Sequence, residues 1–389
     1  MGGGSAPTNS TYTNVGKYLA LDCFVPALQF LTGLCVGLIH EATKTGQDEY
    51  YEGGLGDLSE SIEVWTRIDP HLLAAVFLPA LIFSDAMQVD FHLFRRLFSQ
   101  SFLLATVALS ATDPVAVVAM LESVQAPAKL TTLMSGESHL SDLVALVSFN
   151  IFLATSVDVD SFGTEKLAGY VLSMIFGGPA LGLGFGLLSL YIIRISCAPN
   201  NEDDAMIQLT VTIVCAYFSF IISENNVNGN GVLATVTSAL VISAYAWPSF
   251  SKPQAIEQVW KTIEFFATAI IFCFGGLAFG MTVYRYHGTE YVPPELYGTC
   301  LFLWLMLYAV RAGVILILYP LLRKMGYGIR WNEALALTWG SLRGAVAIVL
   351  GLVMFETDTF NTRVSPADRN AKKDSVQFFF LVAGIVFLR

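Results

Sequence analysis

Five ionisable residues lie deep inside long apolar runs of this chain: Asp113, Glu137, Asp142, Arg311 and Arg343. An ionisable side chain at the centre of a membrane helix costs about 2.5–3.5 kcal/mol on insertion scales, so each such residue needs a physical reason. The segment Gly136-Glu137-Ser138-His139-Leu140-Ser141-Asp142 sets Glu137 four residues from Ser141, and Ser138 four from Asp142. On a helix these form two neighbouring ridges that turn carboxylates and hydroxyls toward the protein interior. Oxygen ligands of this kind suit a small hard cation such as sodium. An amphipathic helix at the membrane surface is the plainer alternative, but residues 143–154 continue without another charge.

Asp113 stands in Ser110-Ala111-Thr112-Asp113-Pro114. Pro114 removes a backbone donor and disfavours a helical conformation at the residue before it, so the helix is expected to break there. A break at lipid depth is tolerated where it lines a cavity or faces a compensating charge. In the C-terminal half, Gly340-Ser341-Leu342-Arg343-Gly344 interrupts another apolar run. Two interrupted helices in corresponding halves point to a transporter site built from inverted repeats. Arg311 requires an acidic partner, for which Glu137 is the natural choice. Asp22, Asp85 and Glu264 fall near the ends of apolar runs, where snorkelling or interfacial water explains them.

The elements that must carry these residues are membrane helices. Of 389 residues, 54% are hydrophobic and 13% charged, against about 25% charged in soluble domains. Spans of about 20 apolar residues are expected at 18–39, 71–89, 101–121, 132–155, 167–195, 205–223, 229–247, 262–283, 297–319, 332–355 and 375–388. Alternating segments of a β-barrel are not seen. Residues 1–17 form a polar tail without the pattern of a signal peptide, and 18–389 are read as a single membrane domain of about 11 spans. None of the six cysteines forms a metal-binding spacing, and no basic stripe invites nucleic acid. No Gly-x-x-x-x-Gly-Lys sequence occurs, so no nucleotide is expected and an ion gradient must drive any transport.

Basic residues assign sides. Lys129, Arg194, Lys252, Lys261, Arg323, Lys324 and Arg330 fall in alternate loops and read as cytoplasmic. Arg95 and Arg96 fall one span before Lys129, which would put them on the other side. Either the pair is an exception, or a span is missing between Arg96 and Lys129.

Taken together, these segments resemble the sodium/proton exchangers of the monovalent cation/proton antiporter superfamily, most closely the plant salt-tolerance plasma-membrane type. The matching stretches are 68–71 and 77–81 (Ile-Asp-Pro-His and Phe-Leu-Pro-Ala-Leu), 110–117 around Thr112-Asp113-Pro114, 136–138, 319–328 and 342–347. The resemblance implies an all-α, multi-pass fold of inverted repeats with two crossed broken helices, and a homodimer embedded in membrane lipid. By motif, Asp142 resembles the carboxylate that binds cation or proton in turn, with Ser141, Thr112 and Asp113 completing the site. Glu137 resembles the partner of Arg311, while Pro114 and Arg343 mark the broken helices. The only metal implied is transported sodium or potassium, transiently at Asp142; no cofactor is expected.

Departures from the family pattern are also present. Ser141-Asp142 stands where electroneutral members have Asn-Asp, leaving the preference between sodium and potassium open. His139 replaces an apolar residue, where it either adds proton sensitivity or packs as a neutral imidazole. Five residues stand between Leu104 and Ser110 in place of a helix and its loop, the first helix is absent and the last is short, so the fold is expected to be incomplete. The expected function is sodium(potassium)/proton antiport by alternating access at one buried carboxylate, regulating pH and sodium. The alternative is a transport-inactive fragment or paralogue. Gly54-Leu55-Gly56-Asp57 mimics an element of intramembrane aspartyl proteases, but it lies in a polar loop and has no partner Tyr-Asp dipeptide, so an enzyme is not expected.

Overall fold

The structure is a computed structural model, described for residues 25–40, 68–108, 128–157, 164–196, 202–226, 230–286, 291–324, 328–339, 344–359 and 368–387. These fold almost wholly as α-helices: α1 Val25–His40, α2 Pro70–Gln88, α3 Phe91–Ala108, α4 Ala128–Val157, α5 Thr164–Ile195 and α6 Glu202–Asn226. There follow α7 Gly231–Tyr245, α8 Pro253–Tyr286, α9 Glu295–Leu322, α10 Trp331–Trp339, α11 Ala345–Thr359 and α12 Asp368–Phe387. Among the described residues, five stretches are long and apolar enough to cross a membrane, namely Pro70–Gln88, Val171–Ile195, Asp204–Asn225, Pro253–Tyr286 and Glu295–Leu322. Apolar side chains such as Phe176, Phe302 and Ile317 are exposed on their outer faces, as lipid contact requires. The expected span 332–355 is two helices, α10 and α11, on either side of 340–343.

Local sequence sets the helix starts. Asp69 caps α2, its carboxylate accepting from the His71 amide at 2.7 Å, and Pro70 occupies the first turn, where a missing N–H costs nothing. Asn230 caps α7 in the same way through Val232.

Buried apolar residues fall into two clusters. The larger joins α2, α6, α7, α8, α11 and α12, and includes Phe83, Trp260, Ile348 and Phe379. The smaller joins Leu97 and Leu104 of α3, Leu130, Leu133 and Met134 of α4, Ile315 and Leu322 of α9, and Leu337 of α10. α4 belongs to both, with Met134 in the smaller and Leu146 in the larger. The polar stretch 137–142 lies between them.

Contacts at the helix ends address the side of Arg95 and Arg96. The Val89 carbonyl, just before α3, accepts from Ser243 near the end of α7 at 2.6 Å. Gln100 of α3 donates to the Leu322 carbonyl at the end of α9. The exposed pair Arg95 and Arg96 therefore shares one end of the bundle with Lys252, Arg323 and Lys324. The basic residues are segregated as the cytoplasmic assignment requires, and the pair is no exception. The conflict therefore lies in the number of crossings between Arg96 and Lys129, where residues 109–127 are outside the described residues.

Helices α1 and α8 cross with their backbones in contact. A Cβ on Gly276 or Gly280 would meet the backbone of Phe30 or Leu34, and one on Gly33 or Gly37 would meet that of Cys273 or Leu277. Small residues let helices approach this closely in lipid, where apolar burial gives no net drive to associate. Because backbone cannot swing aside as a side chain does, Gly280→Leu is expected to cost about 1–3 kcal/mol or more through overpacking. Thermal unfolding of the purified protein should show a lower Tm, and an unchanged Tm would contradict this crossing.

Candidate functional site

The buried charge is anchored first. Glu137 of α4 and Arg311 of α9 form an ion pair at 2.8 Å, with side chains only 3% and 7% exposed. Arg311 also donates from Nε and Nη2 to the Leu337 carbonyl, at 3.1 and 3.0 Å. Leu337 lies in the last turn of α10, whose carbonyls lack helical donors and carry the negative end of the helix dipole. One guanidinium thus neutralises an acid on α4 and closes the end of a short helix. The pairing was expected; the bond to Leu337 was not legible, since it depends on where a helix in a different segment ends.

Beyond this anchor, α4 presents Ser138 and Ser141 to the interior, 4% and 1% exposed, with Asp142 half-buried beside them. This is the face that the four-residue spacing predicts. Ser141 donates to the Ser138 carbonyl at 2.9 Å. Gly136 allows the close packing of α3, because a Cβ there would stand 2.7 Å from the Phe94 ring and 3.1 Å from Ser101 Oγ. His139 hydrogen-bonds the Asp85 backbone carbonyl of α2, while its Nε2 is buried with no hydrogen-bond partner. Thr112, Asp113, Pro114 and Arg343 lie outside the described residues.

A second polar group was missed. Glu264 of α8 lies near the start of the helix's apolar run, as expected, but the helix begins three turns earlier at Pro253 and the carboxylate is bonded to α2 and not left to water. Its Oε2 accepts from Ser84 Oγ at 2.7 Å and Gln88 Nε2 at 3.2 Å, both on α2. The signal available in the sequence was the i, i+4 spacing of Ser84 and Gln88 on a mainly apolar helix.

Removing one partner of a buried ion pair leaves an uncompensated charge and costs about 3–5 kcal/mol. Glu137→Gln and Arg311→Met are each expected to destabilise the protein, Arg311→Met more, because the Leu337 carbonyl also loses its donors. The double variant should lose less than the sum, as read by thermal unfolding of the purified single and double variants. Strict additivity would show the two charges to be independent.

The chain matches the family model "Sodium/hydrogen exchanger, transmembrane" over residues 102–388. It is 30% identical to sodium/hydrogen exchanger 7 of Arabidopsis thaliana over 86% of this chain and 31% of the relative. It is likewise 30% identical to sodium/hydrogen exchanger 8 of the same plant, over 96% and 51%. The low-affinity Na(+)/H(+) antiporter NhaS1 of Synechocystis is 27% identical over 74% and 58%. The chain therefore spans about a third to a half of the plant relatives' length. Its fold superposes on the sodium proton antiporter MjNhaP1 of Methanocaldococcus jannaschii with a TM-score of 0.65 at 14% identity, covering 97% of this chain and 94% of the other. The all-helical architecture is that of a cation/proton antiporter, and the chain is an integral membrane protein. It belongs to the sodium/hydrogen exchanger family.

Proposed function

We propose that this chain exchanges sodium or potassium for protons across a membrane, with Asp142 binding cation or proton in turn. The observation that carries this reading is the polar face of α4. Ser138 and Ser141 are buried with Asp142 beside them, in a stretch pinned by the Glu137–Arg311 pair and lying between two apolar clusters.

The mechanism follows from competition for one site. Taking a carboxyl out of water favours its neutral form, while a bound cation favours the charged form. A site that holds either ion but never both couples their movements if it faces the two sides alternately. Ser141 supplies a second hard oxygen ligand beside the carboxylate. By motif, Thr112 and Asp113 complete the site, and Pro114 and Arg343 belong to the two broken helices that frame it. The names of the relatives reported above, exchangers and an antiporter, support this assignment over a protease. A homodimer in the plasma membrane is the arrangement proposed, with no resident cofactor and no nucleic-acid or nucleotide partner.

Asp142→Asn removes the charge with little change of shape, so it is expected to abolish exchange while leaving the protein folded. Proteoliposomes holding the variant should show no sodium-driven change of internal pH, where the unaltered chain does. Normal exchange by Asp142→Asn would refute the assignment. No exchange by the unaltered chain would favour the transport-inactive reading instead.

A further inference from the structure

Glu264 is a carboxylate held three turns inside a membrane helix, and the exchange at Asp142 does not use it. Its Oε2 is met by the Ser84 hydroxyl, whose residue is fully buried, and by the Gln88 amide, which also bonds Ser84 at 3.1 Å. These three groups stand near the end of the bundle that carries the basic residues. Gln88 is the last residue of α2, and Glu264 lies about 16 Å along α8 from Pro253 at 1.5 Å per residue. Lys261, the nearest cation on the same helix, is paired with Glu257 at 2.8 Å on the exposed surface.

The cluster is also joined to α4 close to Asp142. Ser84 is followed by Asp85, whose backbone carbonyl accepts from His139 of α4, and His139 is one turn before Asp142. His139 Nε2 is buried without a hydrogen-bond partner. A buried polar atom left unpaired costs about 1–3 kcal/mol.

We propose that Glu264, Ser84 and Gln88 form a second cation- and proton-binding station, through which ions pass between the basic end of the bundle and Asp142. The proposal rests on the reading of Asp142 as the exchanging acid. In the empty station Ser84 donates to the carboxylate. When a sodium ion arrives, the hydroxyl rotates, and the carboxylate, hydroxyl and amide oxygens of the three residues become hard ligands. A proton on Glu264 would fill the same place. The competing account is a simple clasp between α2 and α8, which needs no ion.

Dicyclohexylcarbodiimide attacks protonated carboxyls in apolar surroundings, so it reports on Glu264 directly. The full chain carrying Asp142→Asn is purified and treated with the reagent in sodium or in choline chloride, and the Glu264 peptide is quantified by mass spectrometry. The station predicts labelling of Glu264 that falls at least about threefold in saturating sodium, through mass-action protection. Labelling indifferent to sodium, or none in either salt, would overturn the proposal in favour of the clasp. Should Asp142→Asn fail to fold, Glu264→Gln in the otherwise unaltered chain gives a second reading. The sodium KM for exchange should rise several-fold, and an unchanged KM with only a lower maximal rate means the clasp. If Asp142→Asn still exchanges ions, the Asp142 reading falls by itself, because sodium protection of Glu264 is read without transport.

Discussion

A guanidinium that remains charged among apolar helices must have its charge balanced, and Arg311 is held through two separate elements by its Nε and Nη2, while its Nη1 is buried without a hydrogen-bond partner. Glu137 balances the charge, and the Leu337 carbonyl takes two of the donors. Withdrawing either one would leave ions or dipoles in a medium that cannot solvate them. Three helices are therefore fixed relative to one another by a single side chain. The rotation of α4 about its own axis is set by where Glu137 must point, and that rotation decides which way Ser138, Ser141 and Asp142 face.

Much of this was legible in the sequence, because membrane helices are governed by few rules. Apolar runs located the helices to within a few residues in most cases, and the four-residue spacing on α4 gave its polar face. The partnership of Glu137 with Arg311 followed from electrostatics alone, since each is an expensive residue without the other. What escaped depended on three-dimensional register. The bonds from Ser84 and Gln88 to Glu264 join helices far apart in the chain, and no composition rule pairs them. Backbone acceptors such as Leu337 and Asp85 are invisible to a reading of side-chain types, because every residue has a carbonyl and only the fold decides which ones are left open.

Helix α2 shows how polar groups serve assembly where apolar burial gives no net drive between helices. Its Val76 carbonyl accepts from Tyr217 of α6, Ser84 and Gln88 reach Glu264 of α8, and the Val89 carbonyl following it accepts from Ser243 of α7. Each bond joins α2 to a different neighbour and fixes its depth as well as its angle. Dispersion packing of smooth apolar surfaces fixes neither so firmly. The apolar residues between these points, Phe83 against Trp260 at 4.7 Å among them, then fill the space that the polar contacts define.

The glycine crossing of α1 and α8 bears on how such a molecule can rearrange. Where two helices touch through side chains, rotamer changes let one slide past the other in small steps. Here the main chains themselves interlock at Gly33, Gly37, Gly276 and Gly280, and a main chain has no rotamers to spare. Shear along this seam would require the helices to separate and re-engage at the next notch, a whole turn away. The two therefore travel together as one rigid strut in any change of shape, and motion must be taken up at the looser contacts around them.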